Sequence, residues 1–405
     1  MGKPRFIPEK KTKARNVTET IGIGVLGMGW MGNVHGRSYR NVADRFPDVA
    51  LKPRLVVCAD DVESRAQMAQ QRLGFEKSTT DWQAVVDDPA VDVINVAAPN
   101  HLHVDLVKAA ASRGKHVFCE KPVGRSFQEA ILCADAVREA NVLSWVGFNY
   151  RWVPLLQYLQ ALIQNGQLGT ITHYRSRFFA GYGSHPQSVL SWRFQREFAG
   201  TGVLGDLMSH VLDMALFLAG PIQRVVANQH TYISERPLAT PGAGTHFTIG
   251  NDGPLGAVSN EDYVSALAQF SNGAQGTFEV CRVIRGPACE FALEVNGTLG
   301  AARWNFERMN ELELDLPTGD RSSSGFTRIL AGPEHPLFGQ FNPGAGNPMG
   351  YEDLKMIEAY RFLESIAADE QRQPGLEEMR RVAQLFCALE KSSESETWEN
   401  VNAAT

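Results

Sequence analysis

From Ile21 the chain alternates short, continuously apolar runs with helical patterns. "IGIGVLG" reads as a strand running into glycines, and "WMGNVHGRSYR" as the helix after it. "RLVVCADD" (54–61) is a second apolar strand, ending in two acids, and "ESRAQMAQQRLG" a helix closed by Gly74. "VDVINVAAPNHLH" is a third strand, "VDLVKAAASRGK" a helix ending at Gly114, and "HVFC" (116–119) a fourth strand. A helix, "EAILCADAVREANV", and a further strand, "LSWVGFN", complete the series near residue 149. Strands that alternate with helices predict βαβ units and a parallel sheet, and unbroken apolar strands predict helices on both faces.

Beyond this point the texture changes. "VPLLQYLQALIQNGQLG" predicts an amphipathic helix, "GTITHYRSRFFAG" a strand, and "VLGDLMSHVLDMALFLAGP" one helix stopped by Gly220 and Pro221. Strand-like runs follow: "IQRVVANQHTYI", "EDYVSALAQFSNGAQGTFEVCRV" with a hairpin at Asn272-Gly273, "CEFALEVNGTLGAARWN" and "ELELDLP". Residues 317–350 are rich in Gly, Pro and Ser and predict loop; helices follow near 351–368 and 376–391. The expected organisation is α/β: a flexible arm (1–20), a doubly wound parallel-sheet domain (21–149), an α+β domain with a large, mostly antiparallel open sheet (150–393), and a tail (394–405).

Composition narrows the function classes. The 405 residues exceed one ordinary core, and 43% hydrophobic with 21% charged residues is typical of a globular protein. A formal charge of -6 supplies no basic field for nucleic acid or anionic membrane, and no run of 18 apolar residues predicts a span. The six cysteines show no CxxC or zinc-type spacing, which predicts free thiols, a reducing cytoplasmic setting and no metal. The basic residues of the arm, Lys3 to Arg15, have no apolar segment behind them and do not form a secretory signal.

Gly27, Gly29 and Gly32 form G-x-G-x-x-G between a strand and a helix. That context predicts a Rossmann-type dinucleotide site: a tight turn, a backbone open to a pyrophosphate, and close packing of helix on strand. Asp60 ends the second strand 28 residues after Gly32, where a carboxylate accepts hydrogen bonds from ribose hydroxyls and repels a 2′-phosphate. NAD is therefore expected over NADP.

Two further groups draw attention. Glu120 and Lys121 stand side by side before Pro122, at the carboxyl edge of the predicted sheet, where such sheets bind ligands. Lys121 reads equally as half of a solvated ion pair or as a group that stabilises an alkoxide. Asp206 and His210 are four apart on a predicted helix, with Asp213 a turn further on. They read as an ordinary i,i+4 pair or as an acid and a proton acceptor sharing one face. Spacing does not connect them to Lys121.

Taken in order, the motifs resemble the Gfo/Idh/MocA (glucose–fructose oxidoreductase, inositol dehydrogenase, rhizopine catabolism) family from about residue 21 to 393: the glycine turn followed by His35, "AAPNHLH", "GKHVFCEKP", "VGFNYRW" and "WRFQREFAGTGVLGDLMSHVLD". The resemblance implies NAD-dependent oxidation of a ring secondary hydroxyl of a sugar, anhydrosugar, glycoside or inositol, with Lys121, Asp206 and His210 catalytic. It implies cofactor contacts from Gly27, Gly29, Trp30, Met31, Gly32, Asp60, Pro99, Asn100, His103, Glu120 and Lys121, with Glu120 near the nicotinamide ribose. Substrate contacts are expected from Lys121, Asn149, Arg151, Trp192, Asp206 and His210, and a homodimer or homotetramer through the second sheet. Thr201 and Met208 depart from the family pattern, each standing where a glycine is usual, without altering the Asp-to-His spacing. The long loop at 317–350 is similar to that of a subgroup acting on sugars and inositols, levoglucosan-type dehydrogenases among them. The aromatic and polar mixture Tyr150, Arg151, Trp152, Phe178, Phe179, Tyr182, His185, Trp192 and Arg193 suits a pyranose or polyol, whose C–H faces stack on rings. Two other activities fit the same motifs: transient oxidation assisting epimerisation or cleavage of a sugar, and cofactor binding without turnover.

Overall fold

A computed structural model of the protein describes residues 19–239, 248–250, 253–317, 322 and 324–401. The expected basic arm falls outside these residues as far as residue 18, as do 402–405 of the tail. The first sheet contains β1 (Glu19–Leu26), β2 (Leu51–Ala59), β3 (Lys77–Thr79), β4 (Val93–Val96), β5 (His116–Cys119) and β6 (Ser144–Val146). Its order is β3-β2-β1-β4-β5-β6 and every pairing is parallel. Helices α1 (Trp30–Arg45), α2 (Glu63–Leu73), α3 (Trp82–Val86), α4 (His103–Ser112) and α5 (Phe127–Glu139) connect the strands. The apolar strand runs are buried throughout β4 and β6 and over most of β1 and β5, as two-sided cover requires.

The second part opens with α6 (Pro154–Gln164) and β7 (Ile171–Ala180), followed by three helices, α7 (Arg196–Ala199), α8 (Val203–Asp206) and α9 (Met208–Ala219). The strands after them are β8 (Ile222–His230), β9 (Glu235–Pro237), β10 (Leu255–Ala257), β11 (Tyr263–Phe270), β12 (Gln275–Cys281), β13 (Cys289–Gly297), β14 (Ala301–Asn305), β15 (Glu311–Asp315) and β16 (Thr327–Leu330). Helices α10 (Tyr351–Ala367) and α11 (Leu376–Ser395) and the short β17 (Glu399–Asn400) end the described chain. The large sheet has nine strands, β16-β15-β14-β13-β7-β12-β11-β8-β17, and only β7 with β12 is parallel. One sheet face packs on α9 and the core; the other carries crossing pairs such as Arg175–Glu294 and Arg177–Glu290. The Asn272-Gly273 hairpin is formed, with Gly273 at φ 90°, and 327–330 supplies a strand inside the expected loop.

Two features differ from the sequence reading. The expected single helix over 203–219 breaks at Leu207, so Asp206 closes α8 and His210 lies in the first turn of α9. The last two helices also return to the first sheet: α10 lies on α1, and α11 on α5 and β6. Gln371 and Pro374 hydrogen-bond to Ser144 and Val146 at the edge of β6.

Arg151, expected at the substrate, has another task. Its Nε and Nη2 donate to the two carboxylate oxygens of Asp213 at 2.8 and 2.7 Å, with both side chains buried. Its guanidinium also lies 5.1 Å from the Phe217 ring centroid. The pair pins the segment entering the second domain to α9 and uses up Asp213, which the sequence placed beside His210. Arg151→Met would strand a buried carboxylate and is expected to cost about 3–5 kcal/mol in urea unfolding. Arg151→Met with Asp213→Leu should recover most of that loss.

Candidate functional site

The glycine turn joins β1 to α1. Gly27 has φ 92°, and a Cβ on Gly32 would lie 1.8 Å from the Gly27 carbonyl oxygen, so both glycines are required by the protein's own packing. A Cβ on Gly29 would meet nothing within 4 Å. Among the described residues no side chain caps the N-terminus of α1. A cradle of bare backbone at a helix N-terminus fits a pyrophosphate. Asp60, at the end of β2, accepts from Met28 N at 2.7 Å and Val62 N at 3.0 Å. It therefore fixes the turn while keeping carboxylate lone pairs for a ribose. Burial, against these amides, raises its pKa.

Around this cradle the expected cofactor residues divide. Trp30 is exposed and stacks on Tyr351 at 5.5 Å, and the Tyr351 hydroxyl contacts Met31 Sδ. Pro99 ends the loop after β4, just before Asn100, whose amide donates to Ala199 O at 3.0 Å and ties that loop to the second domain. His103 is buried, with ring nitrogens 3.0 Å from Pro122 O and 2.8 Å from Ala98 O. It braces the loops after β4 and β5 instead of reaching outward.

Glu120 and Lys121 do not pair with each other. Glu120 Oε1 takes His35 Nε2 and Lys355 Nζ, each at 2.7 Å, all three residues being buried. Burial would raise the Glu120 carboxyl, but Lys355 and His35 outweigh it and hold it well below the carboxylate range. Lys355 also lies 3.0 Å from Glu358, which burial pushes up to about 8. Lys121 reaches the other way, across 85 positions, to Asp206: Nζ donates to Oδ1 at 2.9 Å and to the backbone oxygen at 2.7 Å. Tyr182 O–H donates to Asp206 Oδ2 at 2.7 Å. Burial opposes ionisation of Asp206, but Lys121, then Arg193 and Tyr182, hold it far below the usual range.

His210 faces this group from α9, buried and boxed by aromatic rings, with Tyr150 edge-on at 4.8 Å and Phe148 and Phe178 at 6.1 Å. Burial first, then the charges of Lys121 and Lys355, lower its pKa well below 6.5. The structure thus joins Lys121, Asp206 and His210, which sequence spacing could not. Asn149, three residues past β6, is buried, and among the described residues neither of its amide atoms has a hydrogen-bond partner. Trp192 lies half-buried in the loop after β7, under the Arg193 guanidinium. Sequence reasoning missed Lys355 and Tyr351 as site residues, and it named Tyr182 only among aromatics suited to a sugar, not as a partner of Asp206. Lys355 had a signal: it stands among Leu354, Ile357 and Phe362 in the apolar part of α10, with Glu358 one turn on.

Comparison with known proteins agrees with this layout. Residues 21–148 match "Oxidoreductase family, NAD-binding Rossmann fold" and residues 156–303 match "GFO/IDH/MocA C-terminal domain". Levoglucosan dehydrogenase of Pseudarthrobacter phenanthrenivorans is 37% identical over 95% of this chain and 98% of that protein. The chain belongs to the Gfo/Idh/MocA family of oxidoreductases. Within the family, myo-inositol 2-dehydrogenase of Thermotoga maritima is 26% identical over 74% of this chain and 80% of its own. A solved levoglucosan dehydrogenase in complex with NADH and L-sorbose superposes with a TM-score of 0.90 at 35% identity, covering 94% of this chain and 99% of that one. The family model matched over residues 21–148 is NAD-binding, and the open Gly29 cradle and Asp60 fit that dinucleotide.

The glycines separate fold from cofactor. Gly32→Ala should lower Tm by many degrees, because Cβ meets backbone. Gly29→Ala should leave Tm within a few degrees and weaken NADH binding about tenfold or more, read by NADH fluorescence titration.

Proposed function

We propose that the protein is an NAD-dependent dehydrogenase that oxidises a ring secondary alcohol of a sugar, anhydrosugar or inositol to the ketone. The observation that carries this reading is the convergence of Lys121, Asp206, Tyr182 and His210 at the carboxyl edge of the parallel sheet. NAD+ held by the glycine turn and Asp60 would supply the hydride acceptor for the carbinol carbon.

The roles follow from geometry and charge. Lys121 gives two of its three N–H bonds to Asp206, which leaves one for a substrate oxygen. As the cationic partner of an ionised carboxylate, it stabilises the alkoxide as the hydroxyl proton departs. His210, kept neutral, takes that proton. Asp206 holds Lys121 on one oxygen and Tyr182 on the other, and so aims the lysine. Asn149, with an unpartnered buried amide, is a further group for the bound molecules. Trp192, with the Arg193 guanidinium over one face of its ring, is assigned the C–H side of a sugar on the other. Glu120 stands immediately before Lys121 and carries the negative charge expected near the nicotinamide ribose, Lys355 and His35 holding it in place.

The relatives support the substrate class: levoglucosan, an anhydrosugar, and myo-inositol, a cyclitol, name two of the dehydrogenases this chain resembles, and both carry their secondary alcohols on a ring. We also propose a homo-oligomer in which a second copy covers the outer face of the nine-stranded sheet. Sedimentation equilibrium should give a dimer or tetramer, and a monomer at micromolar concentration would remove that part. Six free cysteines fit a reducing compartment, the cytoplasm.

The test is NAD+ reduction, followed at the nicotinamide absorbance, over inositols, aldoses, anhydrosugars and glycosides. Lys121→Ala should lower kcat about 10²–10⁴-fold on the best substrate. The folded pKa of His210 lies below its unfolded 6.5. The base is therefore in its active form at neutral pH, and kcat/KM for oxidation should fall only as pH drops well under 6.5. The same sign holds for stability: the His210 contribution is intact above pH 6.5 and is lost as pH falls through the folded value. An acid limb at or above 6.5 that disappears in His210→Asn would contradict the assignment.

A further inference from the structure

The loop between β7 and α7 is held by buried arginines. Phe194 lies between two guanidinium groups, Arg236 at 4.1 Å and Arg282 at 4.4 Å from its ring centroid, and both arginines are fully buried. Arg236 donates to Gly183 O at 2.6 Å and His185 O at 3.0 Å. Arg282 pairs with Asp262 at 2.6 Å and donates to Arg193 O at 3.1 Å. The Asn260 amide donates to both Arg193 O and Thr201 O, at 3.0 and 3.1 Å, which ties the loop to the segment leading into Asp206. The backbone on either side of Arg193 is therefore fixed relative to the catalytic cluster.

The Arg193 side chain is treated differently from its neighbours. Arg282 has Asp262 and Arg151 has Asp213. The Arg193 guanidinium lies 4.3 Å from the Trp192 ring centroid, half-buried, and among the described residues no carboxylate pairs with it. Its charge still reaches Asp206, where only Lys121 does more to keep the carboxylate ionised. A guanidinium stacked on an aromatic face has its plane fixed in advance, and it presents two parallel N–H bonds that an ammonium cannot reproduce. An anchored backbone, a guanidinium held over an aromatic ring with no carboxylate partner among the described residues, and a charge that reaches Asp206 together describe a group open to paired oxygens.

We propose that Arg193 is a specificity-determining residue that clamps two neighbouring oxygens of the substrate ring, flanking the carbinol handled by Lys121 and His210. The inference rests on the dehydrogenase reading above and narrows it: the substrate carries vicinal hydroxyls, and isolated ring alcohols are poor substrates.

The test uses the full-length protein and the best ring alcohol from the reduction screen. Wild-type kcat/KM should fall roughly 10²-fold or more for at least one analogue deoxygenated next to the reacting carbon, because an N–H of the fork is left unpaired. Arg193→Met should lose about 10²–10³-fold on the parent substrate, keep NADH affinity, and lose far less on that deoxy analogue. Arg193→Lys should recover little. Wild-type indifference to every neighbouring hydroxyl, which needs no variant to fold, overturns the clamp and leaves the dehydrogenase standing. So does an Arg193→Met loss that is equal on parent and all deoxy analogues, which is the pattern of a structural role. If the wild type reduces NAD+ with no ring alcohol, the dehydrogenase reading falls and takes this inference with it.

Discussion

The contact between Lys121 and Asp206 is the one on which the site depends. It joins the end of a parallel strand in the first sheet to a short helix in the second domain, 85 positions away. The ammonium bonds both the side chain and the main-chain oxygen of Asp206. That oxygen closes α8, where carbonyls lack partners within the helix and a cation is favoured. One lysine thus satisfies a helix end and fixes a carboxylate with two of its three N–H groups. The electrical states follow from it. Asp206 stays ionised because Lys121 is there, and the positive charge of Lys121 adds to burial in keeping His210 neutral.

Behind this contact lies a second charged group that faces away from it. Glu120 is Lys121's neighbour in sequence but takes its counter-charge from Lys355, on a helix more than two hundred residues later. Burying isolated ions costs several kcal/mol each, so the cluster is tolerable only if its charges cancel. They do: Glu120 is ionised, Lys355 is its partner, and Glu358, pushed up to about 8, is largely protonated at neutral pH. Since α10 also lies on α1, this neutral knot ties the far end of the chain to both the cofactor turn and the strand end that carries Lys121.

Much of this was legible in the sequence because burial on two faces leaves a plain mark. Parallel strands covered by helices read as unbroken apolar runs, and G-x-G-x-x-G between strand and helix has few other physical explanations. The charged partners were less legible. The Asp206–His210 spacing suggested one helix face, but the chain breaks at Leu207, and what unites the two residues is convergence on Lys121. Arg151 looked like a sugar ligand because it stands among aromatics, yet its fork is filled by Asp213, a pairing over 62 positions that no local pattern encodes. His103 and Asn100 stand in a cofactor-edge motif, but their hydrogen bonds hold loops in place. Ion pairs between distant elements leave no periodicity: the ordered family motifs linked Lys121 with Asp206 and His210, but nothing in the sequence linked Arg151 with Asp213 or Glu120 with Lys355.

The division of labour between the domains has a physical basis. The parallel sheet supplies a backbone cradle and a strand end, which suit an anion and a lysine. It cannot supply a low-dielectric wall on the opposite side of the substrate. The second domain does so with Phe148, Tyr150 and Phe178 around His210. Removing water from an imidazole favours its neutral form, and a cation within reach favours it further. In the proposed reaction, the lysine assigned to steady the alkoxide therefore also holds the neighbouring histidine in the neutral form that accepts a proton. A carboxylate in place of the aromatic box would reverse that state and leave the ring protonated before substrate arrives. Asp206 does pull His210 toward the charged form, but burial and the charges of Lys121 and Lys355 outweigh it, while its two oxygens hold Lys121 and Tyr182.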